Sequence, residues 1–417
     1  METNTYEGES EGKTAIVVGG GIAGASVCYA LSQRKIKTIL LESESSPAKH
    51  ASGNPIGVVY PFLTKHKTTE SEFSYLAYRY FLELWESLEL GTLVPHKDGI
   101  HFLLETISAY DRYSNALLSH QIPKAEAYLE KELHSNLDSL YFPKGKALSP
   151  VALTRELIQM AKPEIKCNSR LISWQPSKED GMDDHEGTLI CQTETGTLSA
   201  NYLFLTQGFQ FANDPNLQWI PMKQVRGQIV KIPGSICKNQ SSILYGDYIT
   251  SDIDGERVLG ASFDEFHLEK EPRIKETIMM WEGLQKHLAK VINENETVDV
   301  KNFGTRVSYR TQSQDRHPVV GKLPKVSDLD TTVKYQNLFR KNGKPFQIPY
   351  FETVGILNGL GSRGLTHALL AGKILVDQII KERKENSKLK MEIPDRIIQS
   401  LKPDRFLLRM WKRDQLT

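Results

Sequence analysis

The sequence predicts an α/β protein in which a discontinuous Rossmann-type dinucleotide domain carries an inserted α+β domain built on an antiparallel sheet. Three observations predict it. From Thr14 to Leu41 a β-branched run, a glycine cluster, a small-residue helix and a second apolar run follow one another. Between Gln228 and Phe263, strand-like runs alternate with Gly, Pro and Asp turns. Near Gly359 another glycine cluster introduces a late helix. The first and third read as one domain, and the second interrupts it.

Thr14 to Val18 (TAIVV) is the opening strand, Ile22 to Gln33 a helix with Ala23, Gly24 and Ala25 on its early turns, and Lys37 to Leu41 the next strand, ending in Glu42. Together they form one βαβ unit. Glu70 to Leu90 carries Phe73, Leu76, Ala77, Tyr80, Phe81, Leu84, Trp85 and Leu88 at helical spacing, the pattern of a core-facing helix. Val151 to Ala161 reads as a helix, and Thr188 to Thr193 and Gly196 to Thr206 as strands, with Gly208 after the second. Gln228 to Ile232, Ser242 to Tyr245 and Arg257 to Phe263 form the antiparallel series, followed by a helix over Arg273 to Ile292. Pro349 to Leu357 leads into the late glycine cluster, and Leu365 to Lys381 is its helix. KERKENSKLK (Lys381 to Lys390) reads as a solvated linker. The expected domains are 13–65, 147–220 and 320–383 for the nucleotide, 66–146 and 221–319 for the substrate, and 384–417 as a basic tail.

Composition narrows the class. With 39% hydrophobic and 25% charged residues over 417 positions, the chain can bury a core. Net charge is +1, so nucleic-acid binding would need a local patch. Cys28, Cys167, Cys191 and Cys237 have no CxxC spacing, which excludes a zinc ribbon, and His96 and His101 have no third ligand, so no metal is expected. The apolar run from Ala15 to Ala25 is broken by glycine and too short for a membrane, and the acidic METNTYEGESEG before it is the wrong flank for a secretory signal. A cytoplasmic protein without membrane contact is expected.

GGGIAG places Gly19, Gly21 and Gly24 at the three positions of GxGxxG, between a strand and a helix. Ile22 and Ala23 start the helix whose free N–H groups would face a pyrophosphate. Glu42 would accept both ribose hydroxyls. The late run NGLGSRGL adds Gly359, Gly361, Ser362, Arg363, Gly364 and Leu365 around a helix start. A simple NAD domain has no use for that second helix terminus, whereas a flavin does, because negative charge gathers at its pyrimidine end on reduction. The cofactor expected is therefore FAD.

These motifs, with ASGNPIGVVYP (Ala51 to Pro61), VRGQ (Val225 to Gln228) and DRHPVVG (Asp315 to Gly321), resemble the D-amino-acid oxidase (DAO) superfamily. ASGNPxG, GASFD (Gly260 to Asp264), GLGSRGL and the tail PDRIIQSLKPDRFLLRMWKR are similar to the FAD-dependent oxidoreductase module of bifunctional tRNA wobble-uridine modification enzymes of the MnmC type. The resemblance implies oxidation of the glycine arm of 5-carboxymethylaminomethyl-(2-thio)uridine in tRNA, by hydride transfer to flavin and imine hydrolysis, to 5-aminomethyl-(2-thio)uridine and glyoxylate. About a dozen residues precede the glycine loop, so the oxidative step is expected without the methyltransferase module. A separate S-adenosylmethionine-dependent methyltransferase is the further partner this implies. The competing reading is a small-molecule amine oxidase of glycine, sarcosine or a D-amino acid; a tRNA-binding protein with structural FAD is a third.

A substrate carboxylate calls for an arginine clamp. The resemblance puts Arg306 of GTRVSYR there, with Arg310 as the alternative, and Arg363 beside the flavin to orient substrate or stabilise the reduced ring. It puts Tyr245 and Tyr248 over the carboxylate, and Ser52, Gly53 and Asn54 along the flavin. Arg226 and Gln228 are expected to stiffen a turn, and His317 to carry the chain rather than act as a base. No cysteine occupies a flavinylation position, so FAD is expected to be non-covalent. From Lys381 to Thr417, 11 basic residues face 6 acidic ones, and Arg405, Arg409, Lys412 and Arg413 alternate with apolar residues as in a basic amphipathic helix. These four are the expected tRNA phosphate contacts.

Overall fold

In the computed structural model, residues 12–133, 137–177, 188–293, 298–329, 348–380 and 391–413 are described. The β-branched run Thr14–Val18 becomes the centre of a six-stranded sheet because every side chain after Thr14 is buried on both faces. It pairs in parallel with Lys37–Leu41 on one side and Tyr202–Leu205 on the other. Glu164–Lys166 extends one edge, and Tyr350–Asn358 then antiparallel Val319–Pro324 extend the other. Right-handed parallel connections need helices on the faces, and Ile22–Ser32, Pro150–Ala161 and Gly364–Ile379 supply them. The helices Ile22–Ser32 and Gly364–Ile379 approach so closely that a Cβ on Gly372 would lie 3.0 Å from Ser26.

The second body is a nine-stranded sheet. Its spine is the long antiparallel pair Met222–Pro233 and Gly304–Ser313, registered from Met222 against Ser313 to Lys231 against Gly304. Glu256–Gly260, Tyr248–Ile249 and Ser242–Leu244 continue it toward His96–Leu104 and Leu137–Leu148. Gly57–Val59 closes the far edge, so this sheet takes a strand from the stretch assigned by sequence to the nucleotide domain. Helix Ile274–Leu288 covers one face through Met280, Trp281, Leu284 and Leu288.

One expected strand divides. Gly196 to Thr206 breaks at Asn201, whose side chain accepts the Thr14 N–H at 2.9 Å. Gly196–Ala200 pairs antiparallel with Leu189–Thr193, and Tyr202–Leu205 enters the parallel sheet. The C-terminal residues form two short helices, Asp395–Leu401 and Asp404–Lys412, which bury Ile397, Leu401, Phe406, Leu407 and Trp411. The linker assigned to 381–390 lies outside the described residues. Among the described residues no helix is long and apolar enough to cross a membrane, and no group of His, Cys, Asp or Glu could hold a metal ion.

Candidate active site

A single cleft runs from the glycine loop, along the seam between the two sheets, to the strand Gly304–Ser313. At its start, Gly19, Gly21, Ile22 and Ala23 form the wall, and the helix begins at Gly21 with no side-chain cap. Gly24 does not line the cleft. It packs against Gly19, whose carbonyl would stand 1.9 Å from a Cβ at position 24. Only glycine lets this helix sit that close to the loop. The Glu42 carboxylate closes the same end: Oε2 accepts the Gly20 N–H and Oε1 the Glu44 N–H, both at 2.8 Å. The Ser43 hydroxyl also donates to Oε1, and because a carboxylate has about four acceptor positions, capacity remains for a ribose hydroxyl.

Ser52 and Asn54 line the middle, and Ser52 Oγ accepts the Ile22 N–H at 2.9 Å. Gly208, Gly361, Ser362, Gly364 and Leu365 border the cleft opposite, where the second helix also starts without a side-chain cap. Gly359 sits behind them against Ser313. Three buried oxygens in the cleft, Asn54 Oδ1, Gln207 Oε1 and Thr311 Oγ1, have no partner among the described residues. Buried polar atoms are rarely left so. Two helix starts whose N-cap residues make no capping bond, an acidic ribose end and unpaired buried acceptors fit FAD along this cleft. Gln207, Thr311 and the floor from Ser169 to Trp174 escaped the sequence reading, because they lie on ordinary strand and turn residues with no motif.

The arginines divide sharply. Arg226 is fully buried and fully bonded, to both Glu276 oxygens, to Gln228 and to the Glu269 and Glu271 carbonyls. Arg257 likewise holds the carbonyls of Gly234, Cys237, Asn239 and Thr250. Arg310 lines the cleft and makes no hydrogen bond or ion pair among the described residues. Burial lowers its pKa, and the neighbouring Tyr248 opposes that shift. Tyr248 also lines the cleft, and burial pushes its hydroxyl up to about 12 against the pull of Arg310, so it stays a neutral donor. A half-buried guanidinium without a counter-ion among the described residues, beside a phenol, has the chemistry to receive a carboxylate.

The structure gives three of the residues expected at the site other partners. Arg306 lies outside the cleft lining: Nε donates to the Gly53 carbonyl at 2.9 Å, and Nη2 to those of Lys49 and His50 at 2.7 Å. Its role is to hold the segment Lys49–Gly53, and a Cβ on Gly53 would meet Nη2 at 2.4 Å. Tyr245 does not face the cleft either. Tyr245 precedes a turn, and its ring stacks on His287 at 5.5 Å beneath helix Ile274–Leu288. Arg405 is not free for phosphate, because it is buried and bonded to Asp315 and to the carbonyls of Leu401, Lys402 and His317. Arg409 also meets Asp315, at 2.6 Å, but stays exposed, as do Lys412 and Arg413.

Arg363 stands just behind the cleft. Its guanidinium lies over the Phe62 ring at 4.4 Å and its buried Nε has no partner among the described residues. Burial raises the Tyr60 and Tyr113 hydroxyls, and the Arg363 charge partly offsets both shifts. His317 is away from the cleft, with Nε2 3.1 Å from Ser400 Oγ.

The chain is similar to curated proteins named tRNA 5-methylaminomethyl-2-thiouridine biosynthesis bifunctional protein MnmC. It is 25% identical to that of Leptospira borgpetersenii serovar Hardjo-bovis, over 96% of this chain and 61% of the relative. It is 25% identical to that of Pseudomonas syringae pv. syringae, over 95% and 59%. The chain thus spans about three fifths of the length of these relatives. Among solved structures it resembles glycine oxidase from Geobacillus kaustophilus, with a TM-score of 0.67 at 14% identity, covering 89% of this chain and 96% of that one. L-proline dehydrogenase from P. horikoshii gives a TM-score of 0.69 at 13% identity, covering 97% and 99%. At these identities the likeness is one of fold. The family model described as FAD dependent oxidoreductase (DAO) matches residues 14–378, from the first parallel strand into the late helix, and the chain therefore belongs to the DAO family of FAD-dependent oxidoreductases.

Proposed function

We propose that the chain oxidises the glycine arm of 5-carboxymethylaminomethyl-(2-thio)uridine at the wobble position of tRNA, yielding 5-aminomethyl-(2-thio)uridine and glyoxylate. The observation that carries this is Arg310, a half-buried guanidinium without a counter-ion, facing Tyr248 in the cleft that fits FAD. The arm is an N-substituted glycine, so its carboxylate matches the guanidinium fork and the Tyr248 hydroxyl. FAD, held without a covalent bond, supplies the two-electron acceptor when bound. Arg310 and Tyr248 fix the carboxylate, which sets the position of the adjacent CH₂ and leaves the amine lone pair free. Such positioning supplies much of the rate in reactions of this type. Water then hydrolyses the resulting imine. The names of the relatives support tRNA as the substrate. The primary amine produced is a substrate for a separate S-adenosylmethionine-dependent methyltransferase, and the setting is the cytoplasm.

The test is anaerobic bleaching of the flavin. The holoprotein is mixed with tRNA bearing the carboxymethylaminomethyl arm, and separately with glycine, sarcosine and D-alanine. Bleaching by the tRNA alone is expected. Bleaching by a free amino acid with tRNA inert would replace this reading by a small-molecule amine oxidase.

A further inference from the structure

Six of the twelve large apolar side chains exposed among the described residues fall between positions 263 and 279. Two of them are aromatic and belong to one loop: Phe263 is 52% exposed and Phe266 86%. The loop is held firmly. Asp264 Oδ1 accepts the N–H groups of Phe266 and His267, and Arg273 donates to Oδ2. Arg226 anchors its far side through the Glu269 and Glu271 carbonyls, and the Tyr309 hydroxyl donates to the Leu268 carbonyl at 2.7 Å. An ordered loop that presents two phenylalanines to water marks a contact surface.

Its position says which contact. The Ser262 carbonyl and the Arg310 guanidinium both lie within 3.3 Å of the point where a Cβ on Gly227 would stand. Phe263 follows directly, so the loop borders the Arg310 end of the cleft. Tyr309 lines the cleft and packs on Phe209 at 5.8 Å, which carries the aromatic surface from the cleft to the loop. Charge does not oppose a polyanion here. Asp264 and Glu269 are paired with Arg273, Glu265 with Lys223, and Glu276 with Arg226. The exposed charges without partners among the described residues are Lys270 and Glu271 on the loop and Lys275 in the first turn of helix Ile274–Leu288.

We propose that Phe263 and Phe266 form a stacking platform for the unstacked bases flanking the nucleotide whose arm enters the cleft. The platform rests on the tRNA reading above and names how that substrate is held. An RNA loop presents splayed bases whose faces stack on aromatic rings whatever their sequence. The aliphatic neighbours Ile278 and Met279 have no part in stacking, whereas a protein partner or a second copy of this chain would cover them too.

The experiment compares the holoprotein with Phe263→Ala, Phe266→Ala, the double variant, Phe266→Trp, Ile278→Ser and Met279→Ser. For each, kcat/KM is measured with modified tRNA and with the free modified nucleoside, which has no flanking bases. Each alanine variant is expected to lower the tRNA-to-nucleoside ratio about tenfold, Phe266→Trp to restore it, and Ile278→Ser and Met279→Ser to leave it unchanged. The slope of binding against salt stays the same in the alanine variants, because a ring neutralises no phosphate. A double variant that keeps the wild-type ratio overturns the platform alone. A wild-type protein not reduced by tRNA overturns the functional reading, and the platform with it. Sedimentation as a dimer that Ile278→Ser and Phe266→Ala both dissociate would reassign the surface to a contact between copies.

Discussion

Arg405 and Asp315 meet across 90 positions of sequence as a two-pronged pair, Nε to Oδ2 at 2.9 Å and Nη2 to Oδ1 at 3.1 Å. The pair fastens the C-terminal helices to the loop Ser313–His317, from which the edge strand Val319–Pro324 departs. Ser313 Oγ in turn donates to the His317 carbonyl, and the Ser313 Cβ packs behind Gly359. The tail is thus a brace behind the late glycine cluster.

Removing one member of a buried pair leaves the other charge unsolvated. Arg405→Ala is therefore expected to lower the unfolding free energy by about 3 kcal/mol. Arg409→Ala, whose side chain is half exposed, should cost below about 1 kcal/mol. Urea denaturation of the two variants checks the contrast.

The same loop gives an acid-sensitive element. Burial lowers the His317 pKa to about 4 from 6.5, helped by Arg405 and opposed by Glu70 and Asp315. Between those values the unfolded chain binds a proton that the folded one does not, so stability falls as pH falls from 6.5 to 4. The loss is about 3 kcal/mol over that interval. The Asp315 carboxyl, held well below the usual range despite its burial by Arg405 and Arg409, keeps its contribution above its unfolded pKa of about 4 and loses it only in stronger acid. His317→Gln should flatten the limb between pH 6.5 and 4 in denaturation curves and leave the lower limb in place.

The sequence carried the nucleotide half of the site plainly. Gly19 to Ala23, Glu42 and Gly361, Ser362, Gly364 and Leu365 belong to local patterns whose chemistry depends on residues a few places apart, and they line one cleft. The substrate half was harder to read. Arg306 and Arg310 share one face of the same strand, and only the fold decides that the first reaches the Lys49–Gly53 carbonyls and the second the cleft. Tyr245 and Tyr248 lie three apart around a turn, and one goes under a helix while the other faces Arg310. Arg405 looked like its basic neighbours because its partner Asp315 is remote in sequence.

Lys412 and Arg413 remain as exposed cations on the terminal helix. If they contact tRNA phosphates, each neutralised phosphate contributes close to 1 to the slope of log affinity against log salt. The double variant Lys412→Ala, Arg413→Ala is expected to reduce that slope by up to about 2, with thermal stability unchanged. Filter binding over a salt series measures it, and an unchanged slope would remove the terminal helix from the interface.

Arg310 and Arg306 make opposite predictions four residues apart. Arg310 has no bond to lose among the described residues, so Arg310→Met should leave FAD retention intact and lower kcat/KM for tRNA about a hundredfold, the expected loss of a charge-assisted clamp. Arg306 donates to three carbonyls of the segment that carries Ser52 and leads into Asn54. Arg306→Met should therefore release FAD, read as a fall in the ratio of flavin to protein absorbance after dialysis, while turnover per bound flavin holds. Loss of turnover without loss of flavin in Arg306→Met, with Arg310→Met active, would return the clamp to Arg306.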